Sequence, residues 1–245
     1  MSTVYQNWNH GNGLKFSGND KITFGVNIEL LNNKTIFAIV KPHSMVGNDY
    51  QAGVIIDNEK TNYTRQWALF AQCDLINTNF FFQYVTSVNN ILGMYGPPIP
   101  NRTNPFIVCF TEINNVCRIY VDGNVYYPNT VYPAQSPLSG AFTQIAMLYY
   151  GGGIYDYKGE IYDIKLFNRG LTESEVKLLT IKEGQIIPST AIANCIANWN
   201  FENKAGTILT DKSVSNYTGT LSGLNTTLGV NNDWIDKYGN SITQY

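Results

Sequence analysis

The sequence predicts an all-β protein: two antiparallel sheets packed as a sandwich, with one short helix. Three observations predict it. Short apolar runs alternate with turn residues along nearly the whole chain. The composition is 44% hydrophobic and 13% aromatic but only 14% charged, so neutral Asn, Thr, Ser, Gln and Tyr carry the polar surface. Those residues favour turns and strand faces over helix. The 245 residues suffice for one large β-sandwich whose core needs no disulfide or metal staple.

The elements follow in order. Leu14-Lys-Phe16 leads through the turn Ser17-Gly-Asn-Asp20 into Lys21-Ile-Thr-Phe24, which alternates with a period of two. Thr35-Ile-Phe-Ala-Ile-Val-Lys-Pro42 is a nearly continuous apolar run closed by proline, as a buried strand should be. Gly53–Ile56, Gln66–Ala71 and Asn79–Val85 supply three more strands. Pro105–Phe110 and Val116–Val121 form a hairpin about Asn114-Asn115, and Asp122-Gly123 turns tightly into Asn124–Tyr127. Phe142–Leu148 and Gly159–Phe167 complete this part. One segment reads as helix. Thr172 is an N-cap with Glu175 three residues on, a capping box, and Leu171 before the cap can staple onto Val176. The helix is expected against the sandwich edge. Gln185–Ala193 is a connector, and strands resume at Ile196–Phe201.

A net charge of −2 without a basic stripe argues against a nucleic-acid partner. No apolar run is long enough to span a bilayer as a helix. Met1 to Trp8 has neither the basic start nor the apolar stretch of a secretory signal. The four cysteines (Cys73, Cys109, Cys117, Cys195) are scattered, and the two histidines (His10, His43) stand apart from them, so neither a zinc site nor a disulfide framework emerges. Cys109 and Cys117 could face each other across their hairpin; the plainer reading is free thiols in the core.

Beyond periodicity, several phrases resemble laminin-G-like jelly rolls, within the concanavalin A-like sandwiches. Leu14-Lys-Phe-Ser-Gly18 resembles their opening strand and turn, and Thr35–Pro42 their long central strand. Arg118-Ile-Tyr-Val-Asp-Gly123 is similar to their recurrent hairpin. Gly159 to Val176 is similar to their closing strand and Asn-Arg-x-Leu-Thr helix start. These matches cover about 14–180. The tail, with Asn198-Trp-Asn-Phe-Glu-Asn203 and Asn216-Tyr-Thr-Gly-Thr-Leu221, resembles the segment that usually comes first. Either it folds back to complete the same sandwich in permuted order, or it begins a second module. An orphan β-segment would leave unpaired edges, which favours a single domain over 1–245, with 194–245 completing it.

Catalytic chemistry is hard to find. Glycoside hydrolases of similar fold need two carboxylates flanking the scissile bond. The nearest pair, Glu160 and Asp163, is three residues apart, which on a regular strand puts them on opposite faces with Glu160 toward solvent. There is no Gly-x-Ser-x-Gly elbow, and Gly151-Gly-Gly153 lacks the Lys-Ser/Thr of a phosphate cradle. The expectation is therefore a non-enzymatic module.

Calcium is the candidate cofactor. Asp211, Ser213 and Asn216 offer the oxygen chemistry it needs, and related modules hold an ion in such loops; the competing reading is an Asx-turn. Seventeen tyrosines cluster at Tyr126-Tyr127, Tyr149-Tyr150 and Tyr155-Asp-Tyr157. Tyr149, Tyr150, Tyr155, Asp156 and Tyr157, around the triple glycine, form the candidate ligand-binding loop, since flat amphipathic rings suit sugar faces and protein interfaces alike. The expected function is a virion surface component (a phage fibre, decoration or receptor-binding protein) with glycan recognition. The alternative is a secreted or cell-surface lectin-like adhesin, with a hydrolase last. The expected partners are a cell-surface glycan or other virion proteins, in a homo-oligomer, with no membrane insertion.

Overall fold

The computed structural model describes residues 10–43, 51–60, 64–73, 78–87, 90–98, 104–131, 141–146, 156–182 and 185–244. In chain order the strands are β1 (Gly13–Ser17), β2 (Lys21–Thr23), β3 (Thr35–Pro42), β4 (Gln51–Lys60), β5 (Thr64–Cys73), β6 (Thr78–Ser87), β7 (Asn90–Pro98) and β8 (Phe106–Ile113). They continue with β9 (Val116–Val121), β10 (Asn124–Val131), β11 (Phe142–Ile145) and β12 (Lys158–Phe167). Helix α1 (Glu173–Leu179) follows, then β13 (Cys195–Trp199), β14 (Ile208–Leu209), β15 (Gly219–Ser222) and β16 (Trp234–Ile235).

Two eight-stranded antiparallel sheets result. The first runs β10-β9-β8-β3-β12-β1-β16, with β13 also paired to β12; the second runs β14-β15-β2-β11-β4-β5-β6-β7. The fold class is the one expected, an antiparallel sandwich with one short helix. Tail strands enter both sheets: β13 pairs β12, β16 pairs β1, and β15 pairs β2. The two predicted hairpin turns are present, with Asn114, Asn115, Asp122 and Gly123 all at positive φ (51°, 65°, 52° and 78°). That matches the right-handed strand twist a two-residue hairpin needs. The long strand β7 was not expected, because Gly93, Gly96, Pro97 and Pro98 break its alternation, nor were the two-residue strands β14 and β16. An edge strand tolerates such residues, and β7 is the edge of its sheet.

The main core lies between the sheets, where Phe16, Ile36, Trp67, Phe82, Phe110 and Leu166 are buried with partners from both. Trp199 and Trp234 bring the tail into it. The Trp199 indole N–H donates to Tyr217 O at 2.8 Å and that of Trp234 to Gly206 O at 3.0 Å. A buried indole keeps its apolar body in the core only if its N–H finds an acceptor.

A second cluster covers the outer face of the first sheet. Phe37, Ile39, Ile107 and Tyr120 meet Leu171, Val176 and Leu179 of the helix segment and Ala191 of the connector. The helix thus packs on the outer sheet face rather than the edge. Its capping box forms as read, with Thr172 accepting from the Glu175 N–H and Glu175 accepting from that of Thr172. In the β8–β9 register Cys109 opposes Tyr120 and Cys117 opposes Glu112, and the two thiols belong to clusters on opposite faces of the sheet. They are buried and free, and burial pushes the Cys117 thiol up to about 12.

β12 departs from a regular strand at Tyr162. Ile161 pairs with Val40 but Asp163 with Ile39, so Tyr162 is an inserted residue, a β-bulge. The parity shift puts Glu160 and Asp163 on the same, outer face, which corrects the opposite-face expectation. Neither faces solvent: they are 6% and 7% exposed. Asp163 pairs with Lys165. Glu160 receives the Tyr162 hydroxyl at 2.5 Å and Lys41 Nζ at 3.2 Å, with His43 Nε2 at 3.4 Å. Burial alone would raise the Glu160 carboxyl, but hydrogen bonds from His43 and Tyr162 and the Lys41 ammonium overcome it and hold it at about 2.

A carboxylate with a depressed folded pKa stabilises the fold above its unfolded value, and that contribution disappears as pH falls toward the folded value. Stability of the parent should therefore drop between about pH 5 and pH 2 by roughly 2–3 kcal/mol from this group. Glu160→Gln should be less stable than the parent at pH 7 and flatter over that window, as read by denaturant unfolding at each pH.

Candidate functional site

With the first sheet's outer face under α1 and the connector, the outer face of the second sheet is the place to look. Cross-strand registers build two parallel rows there. One reads Thr220–Thr23–Gln144–Asp57–Ala68–Gln83–Gly93 across β15, β2, β11, β4, β5, β6 and β7. The other reads Val54–Phe70–Phe81–Tyr95 across β4 to β7. The first is mostly amide, hydroxyl and carboxylate; the second is apolar and aromatic.

At the β6–β7 end the aromatic row becomes a platform. Phe70 and Phe81 have ring centroids 5.5 Å apart, and Phe81 and Tyr95 stack at 4.5 Å with planes 28° apart. Tyr95 is 45% exposed, while Phe81 and Phe70 beneath it are 9% and 3% exposed. Gly93 makes this possible. A Cβ there would sit 2.4 Å from Phe81 Cε2, so the ring lies across the bare glycine. Half-buried Gln83 stands beside it in the neighbouring row. Farther in, Asp57, Gln144 and Asp156 are 0%, 5% and 2% exposed. An exposed ring anchored by buried ones, next to an amide, can stack a flat apolar face and hydrogen-bond its polar edge.

Of the expected loop, Tyr149, Tyr150 and Tyr155 lie outside the described residues. Asp156 is buried and bridges Val54 in parallel, at the inner end of the aromatic row. Tyr157 is not a surface ring: it is 1% exposed in the main core, edge-on to Phe16 at 6.2 Å, with its hydroxyl donating to Glu160 O at 3.1 Å. Ala146 and Asp156 bracket the segment between them, and both anchor on β4. The Ala146 N–H donates to Ile55 O, and Ala146 O accepts from the Tyr157 N–H at 2.9 Å. Ala146 sits at φ 68°, a left-handed conformation unusual for alanine. Tyr95, Phe81 and Gly93 escaped the sequence reading because β7 did; the Phe-Phe-Phe run at 80–82 next to a Gly-x-Tyr was the available clue.

The Asp211 loop is closed on itself. One carboxylate oxygen accepts the main-chain N–H of Asn198 (2.8 Å) and of Ser213 (2.7 Å). The other accepts that of Tyr217 (2.8 Å) and lies 2.7 Å from Ser213 Oγ. Asn216 is exposed at φ 54° and accepts from Thr218 Oγ at 3.4 Å. Asp211 therefore pins β13 to the loop, an extended Asx-turn, and an ion there would have to displace these donors. Among the described residues no group of three His, Cys, Asp or Glu side chains is disposed to hold a metal. No described helix is long and apolar enough to cross a membrane.

No protein-family model and no curated protein sequence matches the chain. Solved structures do. A Bacteroides ovatus protein assigned to carbohydrate binding matches at TM-score 0.58 and 14% identity, over 89% of this chain and 59% of that one. The chain thus spans about three fifths of that protein's length. A heptameric SAP-like pentraxin from Limulus polyphemus matches at 0.51 and 14% identity, over 69% and 81% of the two chains. The CBM40 module of the Ruminococcus gnavus IT-sialidase, solved with α2,3-sialyllactose, matches at 0.50 and 13%, over 71% and 96%. At these identities the likeness shows the fold alone, a two-sheet antiparallel β-sandwich.

Two substitutions test the geometry. Asp211→Ala, which strips three main-chain donors of their acceptor, should cost about 3 kcal/mol in urea unfolding, equally with calcium or a chelator. A loss seen only with calcium would assign the loop to an ion. Gly93→Ala meets no backbone strain, only the Phe81 ring, so it should cost roughly 1–3 kcal/mol and alter the near-UV circular dichroism of the stacked rings.

Proposed function

We propose that this chain is a non-catalytic glycan-binding module and that it binds through the Tyr95 platform on the outer face of the second sheet. The observation that carries the reading is the exposed Tyr95 ring, held flat by Phe81 over Gly93 with Gln83 alongside. A sugar's C–H face can lie on such a ring while its hydroxyls reach the amide, and the ring is already ordered, so little entropy is lost on binding. The carbohydrate-binding assignment of the Bacteroides ovatus protein and the sialyllactose held by the Ruminococcus gnavus module support the same use of this fold. The buried, cation-held Glu160 and Asp163 support a role without turnover. The partner is then a glycan-bearing surface; the reading needs no virion, and a phage fibre or an exported adhesin would carry such a module equally well.

A glycan array of the purified chain tests this, followed by titration calorimetry on any hit. Tyr95→Ala should weaken binding at least fivefold, about 1 kcal/mol, with the melting temperature nearly unchanged because the ring is half in solvent. Binding that survives Tyr95→Ala intact would place the site elsewhere.

A further inference from the structure

A lysine, a carboxylate and a carboxamide meet on the outer face of the first sheet, where the tail strand β13 joins β12. Ile164 and Leu166 point into the main core, so Lys165 between them turns outward; Asn198, between Ala197 and Trp199, does the same. The β12–β13 register sets Lys165 directly opposite Asn198. Side chains so placed start about 5 Å apart at Cβ, well within the length of a lysine. Asp163, two residues before Lys165 on the same face, is the diagonal neighbour of Asn198 and the ion-pair partner of the Lys165 ammonium.

Lys165 is 3% exposed, with the Phe37 ring centroid 5.7 Å from its Nζ, and its hydrogen-bond partner among the described residues is Asp163. Buried Lys34, by contrast, donates to Leu31 O as well as to Glu112. The second oxygen of Asp163 and the carbonyl oxygen of Asn198 are both buried without a hydrogen-bond partner among the described residues. Burial pushes the Asp163 carboxyl up from its ordinary range despite the lysine beside it. Two opposite charges are costly in such a place, and moving one proton from Lys165 to Asp163 removes both. What remains is a neutral amine, a nucleophile, facing the carbon of a primary amide.

We infer that Lys165 and Asn198 join in an intramolecular isopeptide bond, with Asp163 carrying the protons. Lys165 Nζ, deprotonated by Asp163, attacks Asn198 Cγ, and the carbonyl π pair moves onto Oδ1. Protonated Asp163 gives its proton to the amide nitrogen and accepts the one that the attacking nitrogen must lose. Collapse of the tetrahedral intermediate re-forms the C=O, breaks the Cγ–Nδ2 bond and expels ammonia, which leaves as ammonium with the proton that Asp163 holds. One lysine ammonium and one primary amide thus become one secondary amide and one ammonium ion, with no oxidant or cofactor. The event occurs once per chain, so it sits with a module that turns nothing over. It leaves no buried ammonium, ties β13 to β12 covalently, and closes the segment holding α1 and the connector into a loop.

The test is the intact mass of the purified, denatured chain, followed by peptide mapping. The parent should be lighter than its sequence by one ammonia, and a tryptic digest should contain a branched peptide joining Lys165 to Asn198 and uncut after Lys165. Asn198→Ala, at a half-buried position, should show the full sequence mass and, with the cross-link gone, a melting temperature lower by roughly 5–10 °C. Asp163→Asn should likewise keep its full mass. A parent at full mass after prolonged incubation in native buffer overturns the inference. So does an ammonia lost elsewhere, as from Asn12 beside Gly13, with Lys165 and Asn198 recovered in separate peptides. The branched peptide forming equally fast in Asp163→Asn would overturn the part given to Asp163.

Discussion

Everything in the first sheet depends on how β12 divides its edges. One edge pairs with β3 along its whole length. The other is shared: Lys158 to Ile161 pair with β1, near the start of the chain, and Ile164 to Phe167 with β13, from the tail. The bulge at Tyr162 falls between the two partners. Nine of the strand's ten residues are buried, so a slip of one residue would exchange the core-facing and outer sets. That exchange would carry Glu160 between the sheets and away from Lys41 of β3, at a cost of several kcal/mol. The Lys41–Glu160 pair is thus a check on register as much as a contribution to stability, and Lys34 with Glu112 does the same for the β3–β8 pair.

What could be read without coordinates was whatever depends on near neighbours in sequence. The Thr172–Glu175 capping box, the Asn114-Asn115 and Asp122-Gly123 turns and the apolar run of β3 each report their structure within four to eight residues. What could not be read depends on neighbours across strands. The Tyr162 bulge is invisible in Glu-Ile-Tyr-Asp, because nothing in those four residues says that Val40 and Ile39 will take positions two apart as consecutive partners. β7 is the same case. Its glycines and prolines look like loop until Phe81 is known to lie across Gly93. The Asp211 loop was legible as oxygen-rich but not as closed, since three of its donors come from Asn198, Ser213 and Tyr217, up to thirteen residues away.

The two outer faces are treated differently, and that asymmetry positions the candidate site. The first sheet carries Phe37, Ile39, Ile107 and Tyr120 outward and buries them under Leu171, Val176, Leu179 and Ala191. The outer face of the second sheet has fewer large apolar groups, gathered at one end as Val54, Ala68, Phe70 and Phe81. Polar residues fill the neighbouring row. Those apolar groups are nonetheless 0–9% exposed, and Tyr95, 45% exposed, stacks on Phe81.

Gly93 links the fold to the site. In an edge strand a glycine costs stability, because it has no side chain to pack and more conformational freedom to lose. Here Phe81 fills the missing side chain's place from the adjacent strand, and its ring recovers burial that β7 alone would not supply. The same placement lowers Phe81 flat against the sheet, and only a flattened ring can carry Tyr95 in a near-parallel stack. A larger residue at 93 would satisfy the strand and tilt the platform. The residue that makes β7 look least like a strand is therefore the one that lets its outer face present an aromatic surface.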